Sequence, residues 1–139
     1  MITTDRDLVS KWVGNMCEAD FRSAVAAIGW TRDDDLTCGV MYEHFTGRSI
    51  TATIAAAPGA VWPRQFLRAI FDYPFKQLNV QKILAYIEEA NWKSCALVER
   101  MGFSVEAKVQ HVFPSGAMLI YTVTADKCHW LESENGQED

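Results

Sequence analysis

Leu8, Val9, Trp12, Val13 and Met16 fall at the spacing of one helix face. The first element this predicts is an amphipathic helix over about 5–17, capped by Asp5 or Thr4. An apolar run, Ala24 to Trp30, then stops at Arg32-Asp33-Asp34-Asp35, a turn signal. Beyond it, Leu36 to Phe45 and Ser49 to Ala57 are rich in β-branched and aromatic residues and meet at Thr46-Gly47-Arg48, a hairpin signature. Three antiparallel strands in a row are expected.

Pro58-Gly59 ends the last of these, and Pro63 suits the first turn of a helix, where its missing N–H costs nothing. Phe66, Leu67, Ile70, Phe71, Phe75 and Leu78 trace one wide apolar face through about residue 78. Pro74 lies inside that pattern and predicts a kink or an irregular final turn. Val80 to Ile87 reads as a strand, with Ile83, Ala85 and Ile87 on one face. Asn91 can cap a short helix from Trp92 to about Met101, with Gly102 as its stop. Phe103 to Phe113 and Ala117 to Thr124 form two more strands around Pro114-Ser115-Gly116, and a helical turn near Asp126–Leu131 follows. The order α-β-β-β-α-β-α-β-β predicts an α/β fold with a mixed, mainly antiparallel sheet. Its one parallel, right-handed crossover should run from about 49 to 87.

Composition narrows the class. A chain of 139 residues buries roughly 68% of its extended surface on folding, enough for a core without metals or disulfides. One domain is expected over 1–131. Residues 132–139, Glu-Ser-Glu-Asn-Gly-Gln-Glu-Asp, offer nothing to bury and read as a disordered acidic tail. Thirteen Lys and Arg against eighteen Asp and Glu give a net charge of -5, which argues against nucleic acid and mildly for a cationic partner. No apolar run approaches the ~20 residues of a membrane span. Met1-Ile2-Thr3-Thr4-Asp5 lacks the layout of a signal peptide, so a cytoplasmic location is expected. Cys17, Cys38, Cys95 and Cys128 are scattered and do not meet His44, His111 or His129 at zinc-ligand spacing. Four reduced thiols are expected, with Cys38 and Cys95 buried, and no metal site.

Asn91-Trp92-Lys93-Ser94, followed by Leu97-Val98-Glu99-Arg100-Met101-Gly102-Phe103, resembles the Asn-x-x-Ser/Ala and aliphatic-Gly-Phe segment of the GNAT superfamily of acetyl-coenzyme A-dependent N-acetyltransferases. Glu106 follows at the spacing usual in the ribosomal-protein N-acetyltransferase-like branch. Tyr73-Pro74-Phe75-x-Gln77-Leu78 and Cys128-His129-Trp130-Leu131 resemble a variant of short GNAT-like proteins of phages and prophages. The resemblance covers residues 24–131 and agrees with the element order. One segment departs from it. The family's pyrophosphate loop, Arg/Gln-x-x-Gly-x-Gly/Ala, aligns with Pro58-Gly59-Ala60-Val61-Trp62-Pro63, which keeps none of the signature residues. A helix N-terminus nonetheless holds phosphate mainly through backbone N–H groups and its dipole, and Arg64, Gln65 and Phe66 still carry them.

The resemblance implies acetyl-coenzyme A as co-substrate and an amine acceptor: a protein N-terminus, a lysine or a small cationic amine. Transfer would be direct, in a ternary complex. It places the pantetheine arm and thioester on Ile54, Ala55 and Ala56, and the pyrophosphate on Val61, Trp62, Arg64 and Gln65. Asn91 would bond pantetheine or simply cap the helix. Lys93 would face a phosphate or solvent. Ser94 would hydrogen-bond the leaving thiolate, since the family's tyrosine position is Val98, or bond back to Asn91 in the first helical turn. For the base, Glu88 lies where the acceptor should enter, Glu43 and His44 alternate at a strand end so that only one points inward, and a water chain is the remaining choice. Tyr42, Tyr86 and Trp62 either line an acceptor groove or belong to the core. The competing expectation is a catalytically silent GNAT-fold module that binds protein, for a phage against a host target. The five tryptophans also hint at a homodimer contact.

Overall fold

A computed structural model describes residues 1–131; the stretch 132–139, read above as a tail, lies outside the described residues. The chain forms β1 (Ile2–Thr3), α1 (Arg6–Cys17), β2 (Ala26–Arg32), β3 (Asp35–Glu43), β4 (Ser49–Ala56), α2 (Arg64–Asp72), a π turn (Tyr73–Gln77), β5 (Lys82–Glu88), α3 (Trp92–Arg100), β6 (Ser104–Phe113), β7 (Gly116–Thr124) and a 3-10 turn (Ala125–Lys127). The seven strands make one sheet in the order β1-β2-β3-β4-β5-β7-β6. β4 and β5 pair parallel and all other neighbours antiparallel. The mixed, mainly antiparallel α/β architecture is therefore the one the sequence predicts, with β1 added at one edge.

Local chemistry explains the elements. Asp5 caps α1 by accepting from the Leu8 N–H at 3.1 Å. Asp33 and Asp34, with φ of 54° and 66°, form a two-residue turn between the paired Arg32 and Asp35, a conformation that Asp tolerates better than most residues. Alternation along the strands divides the core in two. Tyr42, Ile50, Ile83, Tyr121 and Val123 face α2 and α3 in one cluster. Val9 and Val13 of α1 pack on Ala27, Met41 and Ala55 on the opposite face.

α1 lies close to the sheet because Gly29 and Gly39 are paired directly across β2 and β3 beneath it. A Cβ at Gly29 would lie 2.9 Å from Val9 Cγ2, and one at Gly39 would lie 3.0 Å from Val13 Cγ2. The contact centres on the two valines, which leaves Leu8 and Met16 at 53% and 44% exposed although their spacing had placed them on the apolar face.

Pro74 shapes the end of the long helix. It has no N–H to return to the Ile70 carbonyl. The chain widens by one residue: the Leu78 N–H bonds the Tyr73 carbonyl at 3.1 Å, closing the π turn. The Ile70 carbonyl is instead satisfied from β3, by the Tyr42 hydroxyl at 2.5 Å. Tyr42 is fully buried, and burial, with Tyr73 beside it, pushes its phenol well above the ordinary range. Removing that hydroxyl takes a hydrogen bond away from a buried carbonyl. Tyr42→Phe is expected to lose about 1–3 kcal/mol of stability in urea unfolding. The loss should shrink in a Pro74→Ala background, where residue 74 regains a donor.

Candidate functional site

β4 and β5 are in register only at Ser49–Lys82, Ile50–Ile83 and Thr51–Leu84. Beyond those pairs β4 continues along β3 to Ala56 and β5 continues along β7 to Glu88. The two strands part toward their C-terminal ends, and the loop 57–63 and the segment 89–91 lead from those ends into α2 and α3. Asp5 caps α1 and Asn91 caps α3, the latter accepting from Ser94 N–H at 3.2 Å, but α2 starts after Pro63 with no side-chain cap. Its first return bond is Leu67 N–H to the Pro63 carbonyl at 3.0 Å. Among the described residues the N–H groups of Arg64, Gln65 and Phe66 have no protein partner and are left to meet an anion or water.

The structure brings most of the candidate residues to this open end. Ile54 and Ala56 are half-buried on the α2 face of β4, while Ala55 is buried against α1. Val61 is exposed, and its carbonyl accepts from Cys38 Sγ of β3 at 3.8 Å. Trp62 stacks on Phe66 at 5.5 Å, and Trp30 of β2 touches the same ring at 6.1 Å. This packing draws Trp62 toward β2 rather than β5. Gln65 is exposed at the start of α2. Arg64, also exposed, holds its guanidinium 6.0 Å from the Trp130 ring, and Trp130 Nε1 donates to the Met101 carbonyl at 2.8 Å. Lys93 is exposed, with Nζ 5.6 Å from the Trp92 ring. Ser94 is half-buried, and its hydroxyl has no hydrogen bond among the described residues.

Glu88 ends β5 on the face that carries Tyr86, opposite Ile87. Its Oε1 accepts from the Ser115 hydroxyl in the β6–β7 turn. His44 is not brought to this group. It lies in the β3–β4 connection, with φ of 55° and Nδ1 3.1 Å from Thr51 Oγ1. That is the paired end of β4 and β5, about 20 Å from Glu88 at the rise of a strand. Glu43 accepts from the Ser23 hydroxyl. Tyr42 belongs to the core, as above, whereas Tyr86 is 49% exposed. Two cavities lie away from the gap. One of about 500 Å³ runs from Trp30 and Arg32 to the loop residues 57–61, and one of about 600 Å³ sits at the paired end between Arg48, Lys82 and Asp126.

Compared with solved structures, the chain is similar to spermidine N-acetyltransferase SpeG from Vibrio cholerae. The N152L mutant aligns with a TM-score of 0.71 at 18% identity, over 91% of this chain and 94% of that one. A dodecameric structure in an intermediate state gives the same TM-score and coverage. The complex with CoA and spermine aligns with a TM-score of 0.65 at 20% identity, over 88% and 85%. The fold is that of the GNAT acetyltransferases. No protein-family model and no curated protein sequence matches the chain.

Set in the GNAT fold, the site shows features that residue spacing alone did not expose. Ser115 looked like a turn residue and is the partner of Glu88. Cys17, at the end of α1, reaches the Ile54 carbonyl at 3.7 Å. The Tyr121 hydroxyl donates to Glu99 Oε2 at 2.5 Å, fastening α3 to β7. Burial first, then the Glu99 carboxylate, holds this phenol far above its ordinary value. Cys38, Cys95 and Cys128 are buried, Cys17 is exposed, and all four are free. Among the described residues no group of three or more His, Cys, Asp or Glu could hold a metal ion, and no helix is long and apolar enough to cross a membrane.

Glu106 sits lower on the same face as Glu88. Lys82 Nζ at 2.7 Å and Thr122 Oγ1 at 3.0 Å bond the same oxygen, Oε1. These bonds, Lys82 first, hold its carboxyl below the ordinary range. A depressed folded-state pKa adds stability that is present above the unfolded-state value and is lost as pH falls through the folded-state value. NMR titration should place Glu106 below the ordinary glutamate range. Lys82→Met should bring it back up and shorten the acid range over which stability is lost.

Proposed function

We propose that the protein is an N-acetyltransferase that moves an acetyl group from acetyl-coenzyme A to an amine in a ternary complex. The carrying observation is the pairing of two features at one end of the molecule: strands that part after three paired positions, and beside them the one α-helix of the described residues whose N-terminus has no side-chain cap. The relatives in fold, one of them solved with CoA and spermine, support the same reading. In it, the Arg64, Gln65 and Phe66 N–H groups receive the pyrophosphate, and the Arg64 guanidinium adds a charge-assisted contact. Val61 and Pro63 make this a less yielding cradle than glycines would. The edge of β4 at Ile54–Ala56 holds the acyl arm.

The chemistry follows from charge. An amine must lose a proton before it can attack, and Glu88 offers a carboxylate whose Oε2 has no partner among the described residues. The amine nitrogen bonds the thioester carbonyl carbon, and the C–S bond breaks as the tetrahedral intermediate collapses. The thiolate leaves and takes a proton; the Ser94 hydroxyl stabilises its charge by donation. Products are the N-acetyl amide and coenzyme A, with one proton released to solvent from the ammonium form. Val98 is buried where the family's tyrosine would stand, so the thiolate depends on Ser94 and water.

Calorimetry with acetyl-coenzyme A and desulfo-coenzyme A tests the reading. Micromolar binding, about -8 kcal/mol, is expected, weakened roughly tenfold by Arg64→Ala. Glu88→Gln should lower kcat/KM about a hundredfold with little change in donor affinity. The residues in the loop motivate the second reading, a silent protein-binding module. Absence of donor binding at millimolar concentration selects it.

A further inference from the structure

The half of the sheet formed by β5, β7 and β6 is bare on one face. α1 covers β2, β3 and β4 on that side; on the other, α2 and α3 pack over β5 and β7, while β6 at the edge is exposed along almost its whole length. Register places Leu84 and Tyr86 of β5, Met118 and Ile120 of β7, and Ala107 and Val109 of β6 together on this bare face. Tyr86 and Val109 are 49% and 40% exposed, Ala107 is exposed, and the other three are half-buried. Apolar residues gathered into a floor on an uncovered sheet face make the kind of surface that meets a partner or a ligand. At its upper end, beside the gap between β4 and β5, stands the Glu88 carboxylate, fixed by Ser115. At its lower end Glu106 is neutralised by Lys82.

This arrangement bears on the acceptor, and the argument rests on the acetyl-transfer reading. The uncapped start of α2 puts the donor on the α2–α3 face, so the acceptor must reach the thioester from the opposite, bare face. A polyamine carries several ammonium groups and needs several unpaired carboxylates close together; among the described residues on β5, β7 and β6 of this face, Glu88 has only a serine hydroxyl as partner and Glu106 is already neutralised by Lys82. The floor also lies on one side only of the gap, because α1 occupies the other. An internal lysine would need chain leaving in both directions. A chain end needs one. We infer that the acceptor is the N-terminal amine of a polypeptide with apolar residues in its next positions. Its ammonium meets Glu88 and the Tyr86 ring, and its following side chains lie over Ile120, Met118 and Val109.

The full chain is assayed with acetyl-coenzyme A against three acceptors, following coenzyme A release and locating the acetyl group by mass spectrometry. The acceptors are spermidine, a short peptide with a free N-terminus and Leu and Ile in its second and third positions, and the same peptide N-terminally blocked but bearing an internal lysine. Peptide binding is measured separately, by calorimetry with desulfo-coenzyme A present. The expected result is acetylation of the free N-terminus in clear preference to the other two. Val109→Glu and Ile120→Glu, both on the solvent-facing side, should raise the peptide KM about tenfold or more while donor affinity stays as in the parent. Equal or better use of spermidine or of the internal lysine overturns the inference and leaves the acetyl-transfer reading standing. So does donor binding without peptide binding. Loss of donor binding in the parent chain overturns both.

Discussion

A backbone N–H or carbonyl removed from water must find a partner, and the fold is organised around the place where the sheet stops providing one. Between β4 and β5 the ladder ends at Thr51 and Leu84. Each strand then keeps only its outer neighbour, β3 or β7, and the inner edges face each other across a widening gap. The helices that follow these strands start at the same end, so their N-terminal N–H groups gather there too. Asn91 supplies α3 with an internal acceptor; among the described residues α2 has none. Polar backbone groups thus concentrate in one place without a matching supply of protein partners, and a polyanionic, amide-bearing donor is the kind of ligand that completes such a set.

The remainder of the structure keeps that end rigid by satisfying groups elsewhere. Tyr42 serves the carbonyl that Pro74 leaves vacant, so the helix with the uncapped N-terminus is tied to the central strand beneath it. Tyr121 ties α3 to β7 through Glu99. Trp130 bonds the carbonyl at the end of α3 and lies under Arg64 of α2, linking the two helices through the last turn of the described chain. All three are aromatic side chains whose polar tip or ring face joins elements far apart in sequence.

Much of this was legible in the chain itself. The Asp5 and Asn91 caps, the turn at Gly47 and the irregularity at Pro74 are local signals, and local chemistry decided them. What escaped was non-local. Ile2 and Thr3 form a strand only because Trp30 and Gly29 stand opposite; two residues carry no periodicity. Nothing near Pro74 in sequence indicates Tyr42, and nothing near Glu88 indicates Ser115. His44 is different. Parallel strands start at the same end of a sheet, so a residue just before β4 belongs at the start of β5, away from Glu88. The predicted topology already contained that conclusion.

The pair of glycines under α1 has a consequence for the shape of the whole sheet. Gly29 and Gly39 form a shallow seat into which Val9 and Val13 drop, and a helix seated in that way resists sliding sideways, as a pin does in a detent. The neighbouring strands offer no comparable hollow: β4 presents Ala55 and β5 presents Leu84 and Tyr86. The boundary between the covered and the uncovered half of the sheet is therefore drawn by two missing side chains on β2 and β3, well away from the strands whose surface it leaves open.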